Sequence, residues 1–464
     1  MTVDQTPFSP PKVLIVGAGI AGLFLSILLD KAGIPYDIYE RAASVKPIGS
    51  LMSLNANILP ALEQTGLYED FMKIALPGKS GNVMNGNMEI IAKFRTDAVR
   101  EEMGYEFMLF ARPKLYDLLL SRVPVERIHY GVKVISTEQD SEGVTIHCAD
   151  GSSHKGHILV GADGAYSKVR ESLYKSMREQ NILPAQDAQQ ISRGYVSLLG
   201  MTEPLDPKVH PYAENDESVQ YSIIGQGTQY TWSVFNLRDN RIAWIVVAQL
   251  SSQEQSDKEK FRNVEWGPKV NGAMIEDVKD FKVPYGNMTL GDLINLTPQD
   301  TISRTYFDDK LFQTWNHGRT VLIGDAAHKL LPSAGQGAVN ALQDAIILSS
   351  CLYELTSLSP AAIDFALSDF KAQRFSHVKE QYDLSHFNAK IIYGQTFVER
   401  CLRWSVFNLI PDSIKQRSSL RGSNYRPQAT FLPKAPKRGT IEVLPQKESE
   451  RYKRECAAAA ASAV

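Results

Sequence analysis

The glycine-rich stretch Gly17-Ala18-Gly19-Ile20-Ala21-Gly22 follows directly on the aliphatic run Val13-Leu14-Ile15-Val16. Glycines at this spacing can each meet a separate need of dinucleotide binding. Gly17 allows a tight turn, Gly19 lets the backbone approach a pyrophosphate, and Gly22 allows close packing of helix on strand. A helix that opens there adds unpaired amides and a partial positive charge for phosphate oxygens. Glu40 stands near the interval of about 20 residues at which a carboxylate can accept both ribose hydroxyls of an adenosine. An acidic residue at that point disfavours a 2′-phosphate, so FAD or NAD is expected rather than NADP. A glycine-rich turn with no phosphate to bind is the plainer alternative.

Two further clusters carry the same signature of glycine beside aspartate. One is Gly161-Ala162-Asp163-Gly164, with Ser167 and Arg170 shortly after it. The other is Gly324-Asp325-Ala326-Ala327-His328, followed by Pro332 and Gly335-Gln336-Gly337. Taken singly, each reads equally well as a strand-ending turn with an N-capping aspartate.

The elements that must hold these residues follow from hydrophobic pattern. Residues 12 to 16, 158 to 160 and 320 to 323 are near-continuous aliphatic runs ending in glycine, as expected of parallel strands covered on both faces. Ile20, Leu23, Ile27 and Leu28 keep helical spacing, Gly33 and Pro35 stop that helix, and Tyr36 to Glu40 reads as the next strand. From about 191 to 300 apolar and polar residues alternate, which predicts an antiparallel sheet inserted into the α/β unit. Beyond Gly337 the pattern is helical to about residue 410, and the last fifty residues, rich in Pro, Lys and Arg, predict an extended tail packed on the surface or partly loose. The expected parsing is 1–190 and 301–380 for a discontinuous dinucleotide unit, 191–300 for a substrate sheet, and 381–464 for a helical C-terminal region and tail.

Composition excludes several classes of function. In 464 residues, 50 Lys and Arg stand against 52 Asp and Glu, so no global basic field exists to hold nucleic acid. The four cysteines are scattered without a CxxC pair, which argues against a zinc site and fits a reducing, cytoplasmic setting. No metal is expected. No run reaches the roughly 20 apolar residues of a membrane span. The segment from Phe387 to Ile410 is nonetheless unusually apolar, with Lys390, Arg400 and Arg403 interspersed. It suits weak peripheral contact with a membrane surface, or equally a helix packed on the dinucleotide unit.

In this order, the three glycine clusters resemble those of the class A FAD-dependent monooxygenases, the para-hydroxybenzoate hydroxylase and salicylate hydroxylase-like family, in a fungal-type form. Arg112, in Arg112-Pro113-Lys114-Leu115, belongs to the same resemblance, which spans residues 12 to 350. It implies an α/β fold with a Rossmann-like FAD-binding domain of the GR2 type, an inserted antiparallel β-sheet substrate domain and a helical C-terminal region. It also implies that Glu40 and Arg41 serve the adenosine, that Gly49 and the loop to Leu62 face the flavin, and that Arg112 reaches the cofactor. Asp163 and Gly164 then lie near the pyrophosphate, and Asp325 on the ribityl chain. Pro332, Gly335, Gln336, Gly337 and Ala338 run along the isoalloxazine. His328 reads as a packed structural residue. One departure stands out: the asparagine that many members carry two residues after Gly-Gln-Gly is here Val339, with Asn340 next.

The implied chemistry is reduction of FAD by NADH or NADPH, addition of O2 at the flavin C4a, and delivery of one oxygen atom from the hydroperoxide to a small aromatic or apolar substrate. Arg193, Tyr195 and Tyr212 are the candidates for catalytic groups in the substrate sheet. Tyr195, Tyr221, Tyr230, Trp232 and Trp244 could line a ligand site or form ordinary sheet core. A flavin-dependent halogenase is disfavoured because no tryptophan has a second one two residues away. A plain NAD-dependent dehydrogenase would not need the Gly324-Asp325 cluster. A flavin-binding interaction module without turnover remains as the non-enzymatic alternative.

Overall fold

The computed structural model describes residues 9–44, 51–95, 100–250 and 268–462. A six-stranded sheet forms its first layer, in the spatial order Asn316–His317, Thr320–Leu322, Ile158–Gly161, Val13–Val16, Tyr36–Glu40 and Ile128–Tyr130. All neighbours are parallel except the short hairpin formed by the first two. The central strands are wholly buried because the helix Ile20–Lys31 packs on the Ile15 face while a three-stranded antiparallel sheet, Val134–Gln139, Val144–Cys148 and Ser153–Gly156, packs on the Leu14 face, which explains their unbroken aliphatic sequences. The helix Ile20–Lys31 is buried from Gly22 through Leu29 and packs on the helix Gly337–Tyr353. Gly33, at a φ of 67°, then turns the chain toward the second strand.

The second sheet is larger than the alternating region alone predicts. Its order is His328–Lys329, Ser303–Leu311, Ser192–Met201, Arg241–Gln249, Tyr230–Leu237, Ser218–Ile224, Ala75–Asn85, Met108–Ala111 and Leu51–Leu54, with Ile90–Arg95 paired to Ala75–Asn85. The expected sheet of 191–300 is therefore extended by strands from 51–111 and 303–311. The contact of Ser218–Ile224 with Ala75–Asn85 is parallel, so the sheet is mixed and not purely antiparallel. Ala75–Asn85 escapes prediction because Pro77, Gly78 and Gly81 interrupt its alternation.

Alternation along the strands sorts this sheet into two faces. Val196, Leu198, Trp232, Trp244 and Val246 share one cluster with Met274, Val278, Leu290 and Leu293 of the helices Pro268–Val278 and Leu290–Asn295. Trp232 donates its indole N–H to Lys282 O and Trp244 to Thr297 Oγ1, and Tyr230 donates to Asp277, as buried polar tips require. Tyr221 packs against the same cluster. Of the aromatic residues proposed as ligand-lining, these four are sheet core.

The C-terminal region begins inside a continuous element. Helix Pro360–Ile392 runs 33 residues without a break, so a boundary at 380 falls in mid-helix. Helices Phe397–Asn408 and Asp412–Gly422 follow. The next segment has no helix or strand but is tied down: Arg426 donates to Met103 O, and Ala429 N donates to Gln64 Oε1. The chain closes with the helix Glu450–Ser462, where an extended tail was expected.

Candidate active site

Parallel strands bring their C-terminal ends to one edge, and that edge collects Gly17, Glu40, Asp163 and Asp325. Gly17 has a φ of 106° and packs so tightly on the second cluster that a Cβ there would lie 2.5 Å from Ala162 O. A Cβ on Gly22 would lie 2.1 Å from Gly17 O, so the helix rests directly on the turn. Around a Cβ on Gly19, by contrast, none of the described residues lies within 4 Å. Gly19 caps the helix without any side-chain hydrogen bond, and the first turn carries no acid. Open space in front of uncapped helix amides is a site of the right kind for a pyrophosphate.

Glu40 braces the rim of this space. Its Oε2 accepts from Ala18 N and its Oε1 from Ala42 N, each at 2.9 Å. Each oxygen keeps lone-pair capacity for a ribose hydroxyl. Arg41 is exposed beside it, and Arg112 is exposed at the start of the helix Arg112–Leu120. Gly49 lies outside the described residues. In the loop after it, Asn55 accepts from Asn57 N in a local turn. Asn57 itself donates to Gly422 O and is buried, so it serves the packing of the C-terminal region.

Asp163 has two different oxygens. Oδ2 accepts from Lys168 N at 2.7 Å and Val169 N at 3.3 Å, which caps the helix Lys168–Glu179 together with Ser167. Oδ1 is buried with no hydrogen-bond partner among the described residues. Burial pushes this carboxyl above the usual carboxylate range, against the pull of those hydrogen bonds. Gly164 follows it at a φ of 79°. Arg170 then joins the second cluster to the third: it donates to Ala165 O at 2.6 Å and to Ala326 O at 2.9 Å, and lies 4.2 Å over the Phe312 ring.

The third cluster rests on a buried ionic network. Asp344 Oδ2 accepts from Gly324 N at 2.8 Å and bonds His328 Nε2 at 2.6 Å, and Oδ1 accepts from Arg374 Nε at 2.8 Å. Arg374 also donates to Gln343 Oε1 and Asn340 Oδ1. The side chains of His328, Asp344 and Arg374 are fully buried, and the interactions with His328 and Arg374 hold the Asp344 carboxyl below its usual range despite that burial. Neither Asp344 nor Arg374 was picked out from sequence. The signal was present, since Asn340, Gln343 and Asp344 form a polar stripe at helical spacing within an otherwise apolar helix. The displaced asparagine is explained as well: Asn340 turns inward to Arg374 and Gln336 O, while Val339 is core.

Asp325, presented by this braced turn, is 44% exposed with Lys329 Nζ at 3.9 Å, so its oxygens face outward. The loop beyond it exposes Pro332 and Gly335, and a Cβ on Gly335 would sit 3.2 Å from Ser53 Oγ. Gln336 caps the helix Gly337–Tyr353 through its backbone, and its Oε1 is buried without a partner among the described residues. Gly337 and Ala338 lie half-buried in the first turn, where no side-chain cap and no acid compete for the amides. The open space at Gly19, the orphaned oxygens of Asp163 and Gln336, and the two uncapped helix starts fit a dinucleotide with a polar ring system.

The second face of the large sheet turns toward this loop. Tyr195, Val247 and Phe307 cluster with Leu331 and Ala389. Tyr393 covers Tyr195, their rings 5.6 Å apart and edge-on. Burial, with the charges of Glu399 and Asp309 added, pushes the Tyr195 phenol up to about 12. Tyr212 does not join it. Tyr212 lies in the turn Pro211–Ala213 on the opposite face, stacked on Tyr285 at 4.8 Å and bonded to His210 and Met288, beside an open depression of about 470 Å³. The three candidate catalytic residues therefore do not converge, because the pleat and the connecting turn send Tyr195 and Tyr212 to opposite sides. The backbone of Arg193 lies in the strand Ser192–Met201, next to a bulge.

The family described as FAD binding domain matches residues 11–380, and the chain belongs to it. It is a flavoprotein monooxygenase of the fungal class A type, with FAD as its cofactor. FAD-dependent monooxygenase penM of Penicillium crustosum is 30% identical over 383 residues, covering 81% of this chain and 77% of that protein. FAD-dependent monooxygenase prhF of Penicillium brasilianum is 27% identical, covering 90% of this chain and 86% of that protein. Among solved structures, Klebsiella pneumoniae HpxO complexed with FAD and uric acid superposes with a TM-score of 0.70 at 22% identity, covering 90% of this chain and 97% of that one. The 2,6-dihydroxypyridine-3-hydroxylase of Arthrobacter nicotinovorans gives 0.65 at 19% identity, covering 84% and 95%. At these identities the superpositions establish the fold.

Proposed function

We propose that this monooxygenase draws electrons from NADH or NADPH and uses O2 to hydroxylate or epoxidise a small aromatic or apolar substrate held against the Tyr195 face of the large sheet. The make-up of that face carries the reading. Val247 pairs there with Thr231, Ile245 with Ser233 and Ser233 in turn with Ser222, while Phe235 lies between Ala243 and Gln220, so apolar surface is interrupted by a few polar groups. Such a surface suits a carbon skeleton bearing few polar groups.

Bound FAD supplies the redox chemistry, taking electrons from the nicotinamide and activating O2. The protein's part is placement and charge. In this reading Gly17, Gly19 and Gly22 shape the pyrophosphate turn, Glu40 and Arg41 serve the adenosine, and Arg112, Asp163 and Gly164 close the approach to it. Asp325 takes the ribityl hydroxyls. The amides following Gln336 stabilise negative charge on the ring. Tyr195, protonated throughout the neutral range, acts as a hydrogen-bond donor and not as a base. The segment after Ile392 excludes water, since Thr231 Oγ1 donates to Ile392 O, and Gln249 accepts from Gln395 N and approaches Glu399. The FAD unit is discontinuous on this reading, with the large sheet as the substrate platform.

The test is substrate-stimulated NAD(P)H consumption by FAD-loaded protein across phenols, aromatic acids, indoles and terpenoids, with product analysis to separate oxygenation from peroxide release. An oxygenated product supports the proposal. A yellow protein that stays at the blank rate with every compound would leave a flavin-binding module without turnover.

A further inference from the structure

Helix Phe397–Asn408 is built inside out. Its inner face carries charge: Arg403 is buried and donates to Ile391 O at 3.1 Å and Gly394 O at 3.0 Å, while Glu399 closes a capping box with Thr396. Its outer face is apolar, with Phe397 and Val398 each 73% exposed and Trp404 59% exposed. Leu409, Ile410 and Ile414 continue this surface, and Phe94 of the neighbouring strand joins it by meeting Phe407 edge-on at 6.2 Å. A surface helix ordinarily reverses that arrangement, and a contiguous exposed apolar patch marks an interface.

Charge decides what covers the patch. Residues 387–415 hold Lys390, Arg400, Arg403 and Lys415 against Glu399 and Asp412, whereas the whole chain is nearly balanced. Glu399 is turned toward Gln249, and Asp412 is paired with Lys415 at 3.1 Å. Lys390 and Arg400 are exposed, and Lys93 and Arg95 of the adjoining strand are exposed too. An apolar ridge that includes a tryptophan, bordered by cations, matches the interface of an anionic bilayer. A second copy of the same surface would bring like charges together. Among the described residues no helix is long and apolar enough to cross a membrane, so the contact is one of lying on the surface.

We propose that this ridge seats the enzyme on an anionic lipid surface. The same segment closes the Tyr195 face. If the substrate reading above holds, a lipophilic substrate leaves the bilayer next to the site that consumes it.

The test uses full-length, FAD-loaded protein with phosphatidylcholine vesicles, prepared with and without phosphatidylserine. Sedimentation with the anionic vesicles and a blue shift of tryptophan emission are expected, the shift being lost in Trp404→Phe. Partitioning should fall at least about tenfold in the double variant Phe397→Ser, Trp404→Ser, and about fivefold in Arg400→Gln. These side chains are exposed, so FAD retention and thermal unfolding should stay at wild-type values and show that the variants are folded. The proposal is overturned by pelleting no greater than in vesicle-free controls, or by equal binding of the double variant. It is equally overturned by a concentration-dependent dimer that Phe397→Ser abolishes. None of these readings requires turnover, so they stand apart from any failure of the proposed chemistry.

Discussion

The Asp344 carboxylate accepts the Gly324 amide at 2.8 Å, so a side chain twenty positions downstream fixes the turn that presents Asp325. Because Arg374 and His328 complete the same network in full burial, removing one member strands the others. Arg374→Met should cost about 3–5 kcal/mol of stability, as loss of one partner of a buried ion pair does. Denaturant unfolding of the variant checks this, and FAD content should fall in parallel.

Two glycines of the first motif should respond in opposite ways to the same change. In Gly22→Ala the new methyl meets a backbone oxygen, so the protein should lose about 3 kcal/mol or more and accumulate poorly. In Gly19→Ala the methyl enters open space at a φ of −77°, so the apoprotein should unfold within about 0.5 kcal/mol of wild type. Its FAD affinity should nevertheless drop at least about tenfold, because that space is where the pyrophosphate must approach. Equal FAD affinity in Gly19→Ala and wild type would remove the pyrophosphate assignment.

Asp325→Ala separates cofactor binding from folding in a similar way. The side chain is partly exposed and its nearest cation is 3.9 Å away, so thermal unfolding of the apoprotein should barely move. Flavin retention through gel filtration should fall steeply, and unchanged retention would withdraw the ribityl role.

Tyr195 should be silent in pH profiles. Its phenol, raised to about 12, stays protonated below about pH 10, so wild type and Tyr195→Phe should give kcat–pH curves of the same shape. An alkaline limb that vanishes in Tyr195→Phe would show that the phenol ionises in turnover.

His377 predicts part of the acid sensitivity. Burial and the nearby Arg374 lower its folded value from 6.5 to about 3, while it stacks on Tyr425 at 4.1 Å. The unfolded chain takes up the proton first as pH falls, so the stability this group contributes is present above pH 6.5 and is lost between there and about 3. The slope reaches at most about 1.4 kcal/mol per pH unit. His377→Gln should flatten that part of the stability curve measured by urea unfolding.

The dinucleotide edge was legible because parallel strands buried on both faces must be aliphatic, and the three central ones, Val13–Val16, Ile158–Gly161 and Thr320–Leu322, run into glycine turns. The first helix could be bounded for the same local reason. The reach of the large sheet was not legible. Ala75–Asn85 is held in place by Ser218–Ile224, more than a hundred residues away, and its own pattern is broken by proline and glycine. Aromatic residue types likewise could not separate Tyr195 from Tyr212, since only the pleat and a following turn decide which face each takes. The Asp344–Arg374 pair spans thirty residues and two helices, and its sequence trace is no more than a polar stripe in an apolar helix.

Helix Pro360–Ile392 is a single tie-bar about 50 Å long. It carries Arg374 beneath the Gly324 turn, and at its far end Ile392 O accepts from Thr231 Oγ1 of the large sheet. The elements it ties together are therefore not separable at a seam within this helix. A chimera joined at residue 380 would splice one rod from two parents.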